Sequence, residues 1–242
     1  MTTLFISDIH ISDDYPEINN QFLNFVNNVH QDINTIYILG DLFEYWLGDD
    51  DPNLTFKEIG EALKKLSKKN ISVFFMHGNR DFLIGNNFEE RSKIQIIEDP
   101  SVIELYGERI LISHGDIFCT DDKDYQLFRK QTRDPLWQNK ILKKSLEYRK
   151  KFALDARASS SKHIQSNNEF IMDAQEAEII KTFKKYNLTT IIHGHTHRPA
   201  IHNSILNGKR CRRIVLGDWY DQGSILKWTE FGPDLIELKR YI

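Results

Sequence analysis

Short apolar runs that end on residues able to hold a metal recur along almost the whole chain, and this recurrence limits the folds open to it. Leu4-Phe5-Ile6 precedes Asp8 and His10, and Tyr37-Ile38-Leu39 precedes Gly40-Asp41. Val73-Phe74-Phe75-Met76 precedes Gly78-Asn79, Ile110-Leu111-Ile112 precedes His114, and Ile191-Ile192 precedes His193-Gly194-His195-Thr196-His197. Such runs read as strands. Open α/β sheets place ligands at strand ends, so these distant residues are expected to meet along one rim of a sheet.

The remaining pattern agrees with an α/β core. Apolar runs alternate with amphipathic segments through residue 120. Strands are expected near Leu4–Ser7, Ile36–Leu39, Ser72–Met76, Ile94–Ile97, Val102–Leu105 and Arg109–Ser113. After residue 190 they are expected near Thr190–Ile192, Arg212–Leu216, Ile225–Lys227 and Leu235–Leu238. Thr55 followed by Glu58, with Ile59, Leu63 and Leu66 behind, predicts a helix opened by a capping box. Residues 122–186 carry almost no strand signal and are expected to form a helical insertion. Its middle is basic, with Lys143, Lys144, Arg149, Lys150, Lys151, Arg157 and Lys162 against Glu147 and Asp155.

Composition narrows the partners. The chain has 242 residues, 40% of them hydrophobic, enough for one large domain or a domain with an insertion. A net charge of −3 gives no general pull toward nucleic acid, and no broad basic stripe flanks the motifs. Cys119 and Cys211 are expected to be reduced thiols of a cytosolic enzyme. Met1-Thr2-Thr3-Leu4 runs straight into a strand, so no signal peptide is expected, and no apolar run is long enough to span a membrane.

The ligand types point to two hard divalent cations such as Mn²⁺ rather than to thiolate-loving metals. A shared carboxylate can hold two cations about 3.5–4 Å apart, a spacing that clamps both oxygens of an in-line displacement at phosphorus. Asp41, after Gly40, is the candidate bridge. Asp8 and His10 are two apart and can reach one ion. Asn79 offers a neutral carbonyl oxygen, His195 and His197 can serve different ions, and His114 completes the set.

Asp8-x-His10, Gly40-Asp41, Gly78-Asn79, His114 and Gly194-His195-x-His197 together resemble the calcineurin-type metallophosphoesterases. The resemblance implies a four-layer α/β/β/α sandwich with two mixed sheets. It also implies one cation on Asp8, His10, Asp41 and His197 and a second on Asp41, Asn79, His114 and His195. Many members carry a histidine after the Gly-Asn pair, as general acid for the leaving group; this chain has Arg80. An alkoxide leaving group needs a proton, whereas a phosphate monoester leaves as an anion with a second pKa of only ~6. A fixed guanidinium stabilises that charge without donating a proton. Arg80 therefore favours a diphosphate substrate.

Longer strings sharpen the match. Tyr37-Ile38-Leu39-Gly40-Asp41-Leu42-Phe43-Glu44, His77-Gly78-Asn79-Arg80-Asp81-Phe82-Leu83 and His193-Gly194-His195-Thr196-His197-Arg198-Pro199-Ala200 resemble the UDP-2,3-diacylglucosamine pyrophosphatase family. That resemblance implies hydrolysis of the pyrophosphate bond to UMP and 2,3-diacylglucosamine 1-phosphate, in lipid A synthesis. It implies Asp122 and Ser160 at the glucosamine headgroup, with Tyr125 and Arg157 beside them, and Asn79, Arg80 and His195 near the diphosphate. Ile164 and Asn167 stand where the family usually has Asn and Lys, which bears on the sugar contacts and not on the metals.

The insertion suits such a substrate. Each methylene taken out of water contributes ~0.8 kcal/mol, and Trp46, Phe82, Leu83, Phe128 and Phe152 are candidate acyl contacts under a lid. The basic residues can meet an anionic membrane, at ~1 kcal/mol per near-surface cation. The expected location is the cytoplasmic face of the inner membrane, held peripherally, with no obligate protein partner evident. A phosphoesterase for a soluble nucleotide or nucleotide-sugar is the alternative; it would not need the apolar helices.

Overall fold

Period-two burial along the strands generates three apolar layers. The computed structural model describes residues 2–166, 173–220 and 223–238, with the backbone alone at 159–166. The strands are β1 (Thr2–Ile6), β2 (Ile33–Leu39), β3 (Ser72–Met76), β4 (Gln95–Ile97), β5 (Ser101–Leu105) and β6 (Glu108–Ser113), then β7 (Thr190–His193), β8 (Ala200–Leu206), β9 (Lys209–Val215), β10 (Ser224–Thr229) and β11 (Gly232–Glu237). Leu4 and Ile6, Ile36 and Ile38, and Val73 and Phe75 point to one face of their sheet. Phe5, Tyr37, Leu39 and Met76 point to the other, where they meet Ile110, Ile112, Ile192 and Ile214 of a second sheet.

The first sheet runs β11-β10-β1-β2-β3-β4 and the second β5-β6-β7-β9-β8. β1 to β4 are parallel, and β10 and β11 extend the edge antiparallel. In the second sheet β6, β7 and β9 are parallel, with antiparallel β5 and β8 outside them. Both sheets are thus mixed. Helices α1 (Pro16–Asn27), α2 (Leu54–Lys68) and α3 (Asn86–Ser92) cover the first sheet through Phe22, Phe25, Ile59, Leu63 and Phe88. Residues 122–186 form α4 (Lys123–Thr132), α5 (Pro135–Leu142), α6 (Leu146–Ser166) and α7 (Glu176–Tyr186). Ile179 and Phe183 of α7 pack on Leu111 and Ile191, covering the outer face of the second sheet. The result is the four-layer α/β/β/α sandwich.

Two local expectations change. α2 is capped by Asn53, whose side chain accepts from Phe56 N at 3.0 Å. Thr55 instead donates its hydroxyl to Asp13 Oδ1 at 2.6 Å, so Thr55 and Glu58 form no capping box. β8 is a strand that the sequence pattern does not predict. It is an edge strand exposed along almost its whole length, so it needs no apolar alternation. Cys119 and Cys211 are buried and form no disulfide with one another. Among the described residues no helix is long and apolar enough to cross a membrane.

Candidate metal centre

The parallel strands deliver their polar followers to one rim. Asp8 and His10 follow β1, Asp41 follows β2, Asn79 follows β3, His114 follows β6, and His195 and His197 follow β7. Five of these residues hold left-handed backbone: Asp8 (φ 55), His10 (φ 59), Asp41 (φ 53), His195 (φ 68) and His197 (φ 54). Residues other than glycine rarely adopt that region, and it collects at functional sites. Glycine makes the approach of the loops possible. A Cβ on Gly78 would lie 2.0 Å from Asp41 Oδ1 and 2.3 Å from Asp41 N.

The side chains converge. Ligand atoms of Asp8, His10 and His197 lie within 4.8 Å of one another, as do those of Asp8, Asp41 and His114. Asn79 Oδ1 faces two imidazoles at once, His114 Nε2 at 2.9 Å and His195 Nδ1 at 3.0 Å. His114 Nε2 is 3.9 Å from Asp41 Oδ2, and His197 Nε2 is 3.3 Å from Asp8 Oδ1.

Three rings are held through their other nitrogen. His114 Nδ1 is 2.9 Å from the Leu39 carbonyl oxygen, and His197 Nδ1 is 3.0 Å from Asp218 Oδ2. His10 Nδ1 is 2.9 Å from Glu44 Oε2, off the line of an ideal hydrogen bond. Each therefore presents Nε2 to the cluster, the arrangement by which proteins orient metal-binding histidines. Asp8 Oδ1 and His10 Nε2 are buried and have no hydrogen-bond partner among the described residues. Buried polar atoms without partners are costly, and cations at this position would satisfy them. The donor set, two carboxylates, one amide oxygen and four imidazoles, fits hard divalent cations.

The charges of the cluster act on one another. Burial opposes ionisation of Asp8, but His197, His114 and His10 outweigh it and hold the carboxyl well below its usual range. Burial likewise opposes the charged form of His197, and Asp8 and Asp218 overcome it, raising the ring to about 10. Burial and the neighbouring His114 push His195 down to about 3. Burial and the charge of Asp41 push Asp81 up to about 7. Asp81 accepts from Gly78 N and Leu42 N, both at 2.8 Å, and so ties the Asn79 loop to the Asp41 loop.

A cavity of about 720 Å³ opens from the cluster. His10, Asp41, Asn79, Arg80, His195 and His197 are among its lining residues, and so are the apolar side chains of Trp46, Phe82, Leu83, Phe128, Ile141 and Phe152. Arg80 N donates to Asp41 Oδ1 at 2.8 Å, while its buried Nε has no hydrogen-bond partner among the described residues. Asp122 and Tyr125 also line the cavity. Asp122 caps α4, accepting from Tyr125 N at 3.0 Å, and Tyr125 OH donates to Asp116 Oδ2 at 2.7 Å. Arg157 is not among the lining residues; its Nε makes an ion pair with Glu44 Oε1 at 3.0 Å. Trp46 is mostly core, packed on Phe43 and Phe56, with its Nε1 donating to Asp49 at 3.0 Å. Ser160, Ile164 and Asn167 lie outside the residues whose side chains are described.

Several supporting residues escape a search for metal ligands. Glu44 and Asp218 hold the rings of His10 and His197, and Tyr220 donates to Glu44 Oε2 at 3.0 Å. One signal was available: Val215-Leu216-Gly217-Asp218 repeats the apolar-run, Gly-Asp pattern of Leu39-Gly40-Asp41.

Comparison with known proteins identifies the family. The family model of the calcineurin-like phosphoesterases matches residues 1–199. A UDP-2,3-diacylglucosamine hydrolase from Xanthomonas oryzae pv. oryzae is 48% identical, over 97% of this chain and 98% of its own. Another from Stenotrophomonas maltophilia is 46% identical, over 99% of this chain and 100% of its own. The chain belongs to the calcineurin-like phosphoesterase family, and within it to the UDP-2,3-diacylglucosamine hydrolases.

Proposed function

We propose that the chain hydrolyses the pyrophosphate bond of UDP-2,3-diacylglucosamine, giving UMP and 2,3-diacylglucosamine 1-phosphate, a step of lipid A synthesis. One observation carries the reading: a cluster of carboxylates, imidazoles and an amide shares a cavity of about 720 Å³ with an aromatic and aliphatic group, Trp46, Phe82, Leu83, Phe128, Ile141 and Phe152, beside polar residues such as Asp122 and Tyr125. A diphosphate with two acyl chains likewise combines a charged part with an apolar part.

Asp8, His10, Asp41 and His197 would hold one cation, and Asp41, Asn79, His114 and His195 the other. When bound, such cations, which we propose to be Mn²⁺, supply Lewis-acid charge and activate a water. The remaining work falls to the chain. Arg80 sits beside Asp41 with its Nε uncommitted, so it can neutralise charge on the departing phosphate without a proton transfer. Asp122, Tyr125 and Ser160 are proposed for the glucosamine headgroup, and Arg157 for its edge. Phe82, Leu83, Phe128 and Phe152, with the inner edge of Trp46, are proposed to shield the acyl chains from water under a lid drawn from residues 122–186.

The same segment supports a peripheral place on the cytoplasmic face of the inner membrane. Leu127, Leu136 and Leu154 are exposed on α4, α5 and α6, helices that also carry Lys130, Lys140, Lys150 and Lys151, which anionic lipid would attract.

The test compares turnover of the lipid-linked UDP-sugar in detergent with turnover of UDP-glucose, each with and without a chelator. Release of UMP from the lipid substrate, abolished by chelator and restored by Mn²⁺, is expected. Faster cleavage of UDP-glucose would favour a soluble nucleotide-sugar as the substrate. Undiminished hydrolysis in chelator would overturn the metal chemistry.

A further inference from the structure

Glu44 is a buried carboxylate, 4% exposed, that belongs to none of the proposed ligand sets. Three groups from three parts of the chain converge on it. His10 Nδ1, in the loop after β1, is 2.9 Å from Oε2. Tyr220 OH, in the segment before β10, donates to the same oxygen at 3.0 Å. Arg157 Nε, on α6, is 3.0 Å from Oε1. Tyr220 also stacks on the His10 ring, with centroids 5.3 Å apart and planes 22° apart. On its other side His10 meets His197 edge-on at 5.4 Å.

We propose that Glu44 is the positioning residue of His10 and ties the orientation of that imidazole to the seating of helix α6 through Arg157. This rests on the metal reading above. An imidazole can rotate about its bond to Cβ, and only one rotamer aims Nε2 at Asp8 and His197. The carboxylate fixes that rotamer by fixing Nδ1, and stacking by Tyr220 limits the swing of the ring. Glu44 is itself kept in place by the guanidinium on α6. Lifting α6 therefore removes one of the contacts that hold Glu44 and loosens His10 with it. Partners of this type around a metal-binding histidine typically govern metal affinity by 10–100-fold.

Substituting the carboxylate separates its two duties. In Glu44→Gln the amide carbonyl can take the two-donor side, facing His10 and Tyr220. Its NH₂ then faces Arg157, donor against donor. Glu44→Gln is therefore expected to keep the hold on His10 and lose the link to α6, whereas Glu44→Ala loses both.

The experiment is a direct Mn²⁺ titration by electron paramagnetic resonance, with ¹⁵N spectra of the histidine rings in metal-free protein. Wild type, Glu44→Gln, Glu44→Ala, Tyr220→Phe and Arg157→Ala are compared, each checked for an intact melting transition. Two Mn²⁺ sites are expected in the wild type. Glu44→Ala is expected to weaken one of them 10–100-fold and to spare the other, with the His10 ring losing its single Nδ1–H form. Tyr220→Phe and Arg157→Ala are expected to weaken the same site by smaller factors. Equal affinities in wild type and Glu44→Ala would overturn the proposal. So would equal weakening of both sites in a folded variant. If Glu44→Ala does not fold, Glu44→Gln and Tyr220→Phe decide: unchanged ring spectra and affinity in Tyr220→Phe, with unchanged amide protection along α6 in Glu44→Gln, overturn it. Two sites absent from the wild type would instead count against the metal reading itself.

Discussion

Arg149 grips Asp50 with both ends of its guanidinium, Nη1 to Oδ1 at 2.7 Å and Nη2 to Oδ2 at 2.6 Å. The arginine comes from the first turn of α6 and is buried, and its Nη1 also donates to the Leu47 carbonyl oxygen at 2.6 Å. The base of α6 is thus fastened to the loop that follows β2, a few residues beyond Asp41. Arg149→Ala should loosen this fastening and leave a buried carbonyl unpaired, at a cost of about 1–3 kcal/mol. The check is chemical denaturation beside the wild type.

The same pair sets a pH dependence. The hydrogen bond from Arg149 holds the Asp50 carboxyl below its ordinary value of 3.8, with burial opposing. A depressed carboxyl stabilises the fold above the unfolded value and ceases to do so as pH falls through the folded one. Wild-type protein should therefore lose stability below about pH 4 more steeply than Arg149→Ala. Melting temperatures between pH 3 and 6 would show whether the two curves converge in acid; parallel curves would remove Asp50 from the account.

Arg80→Ala should lower kcat by about 10²–10³-fold, the usual effect of removing one fixed donor aimed at developing charge. Bound Mn²⁺ should be unchanged, because Arg80 touches Asp41 through its backbone N and not its side chain. Arg80→Lys should recover only part of the rate, since an ammonium lacks the two-pronged fit. Steady-state kinetics with metal analysis on the same samples tests this.

Phe152→Ala should act on the acyl chains alone. Phe152 stacks on Phe128 at 6.4 Å and packs on Trp137 at 5.4 Å along the cavity wall. Loss of roughly 1.4 kcal/mol of apolar contact corresponds to a tenfold higher KM for the lipid substrate. Cleavage of UDP-glucose, however slow, should be unaffected. An equal effect on both substrates would mean that the ring serves folding and not recognition.

Gly78→Ala should abolish metal binding although it replaces no ligand. The added methyl would fall within 2.0 Å of Asp41 Oδ1, and the obstruction is the carboxylate proposed as the bridge. Metal content of the folded variant checks this, with near wild-type loading as the contrary result.

The centre was readable because strand ends repeat one grammar, an apolar run and then a ligand, and because each run is long enough to declare its period. β3 is legible at Ser72–Met76 for that reason. The outer edge resisted: β8, with His202, Asn203 and Ser204 at its middle, faces solvent and has no apolar rhythm to read. The cap of α2 is ambiguous in sequence because Asn53 and Thr55 are both capping residues, and only the neighbour Asp13, distant in sequence, draws Thr55 away. Glu44 and Tyr220 were hidden for a similar reason. Their roles depend on meeting His10 in space, and a buried glutamate looks like any other acid along the chain.

The left-handed backbone at Asp8, His10, Asp41, His195 and His197 has a consequence for durability. Each such residue is held uphill by on the order of 1 kcal/mol, which the surrounding packing must offset. Chemistry and toughness therefore draw on the same positions in opposite directions. A glycine in place of His195 would relax its loop as it removes the imidazole, so the most heat-resistant relative of this chain could be one that turns over nothing.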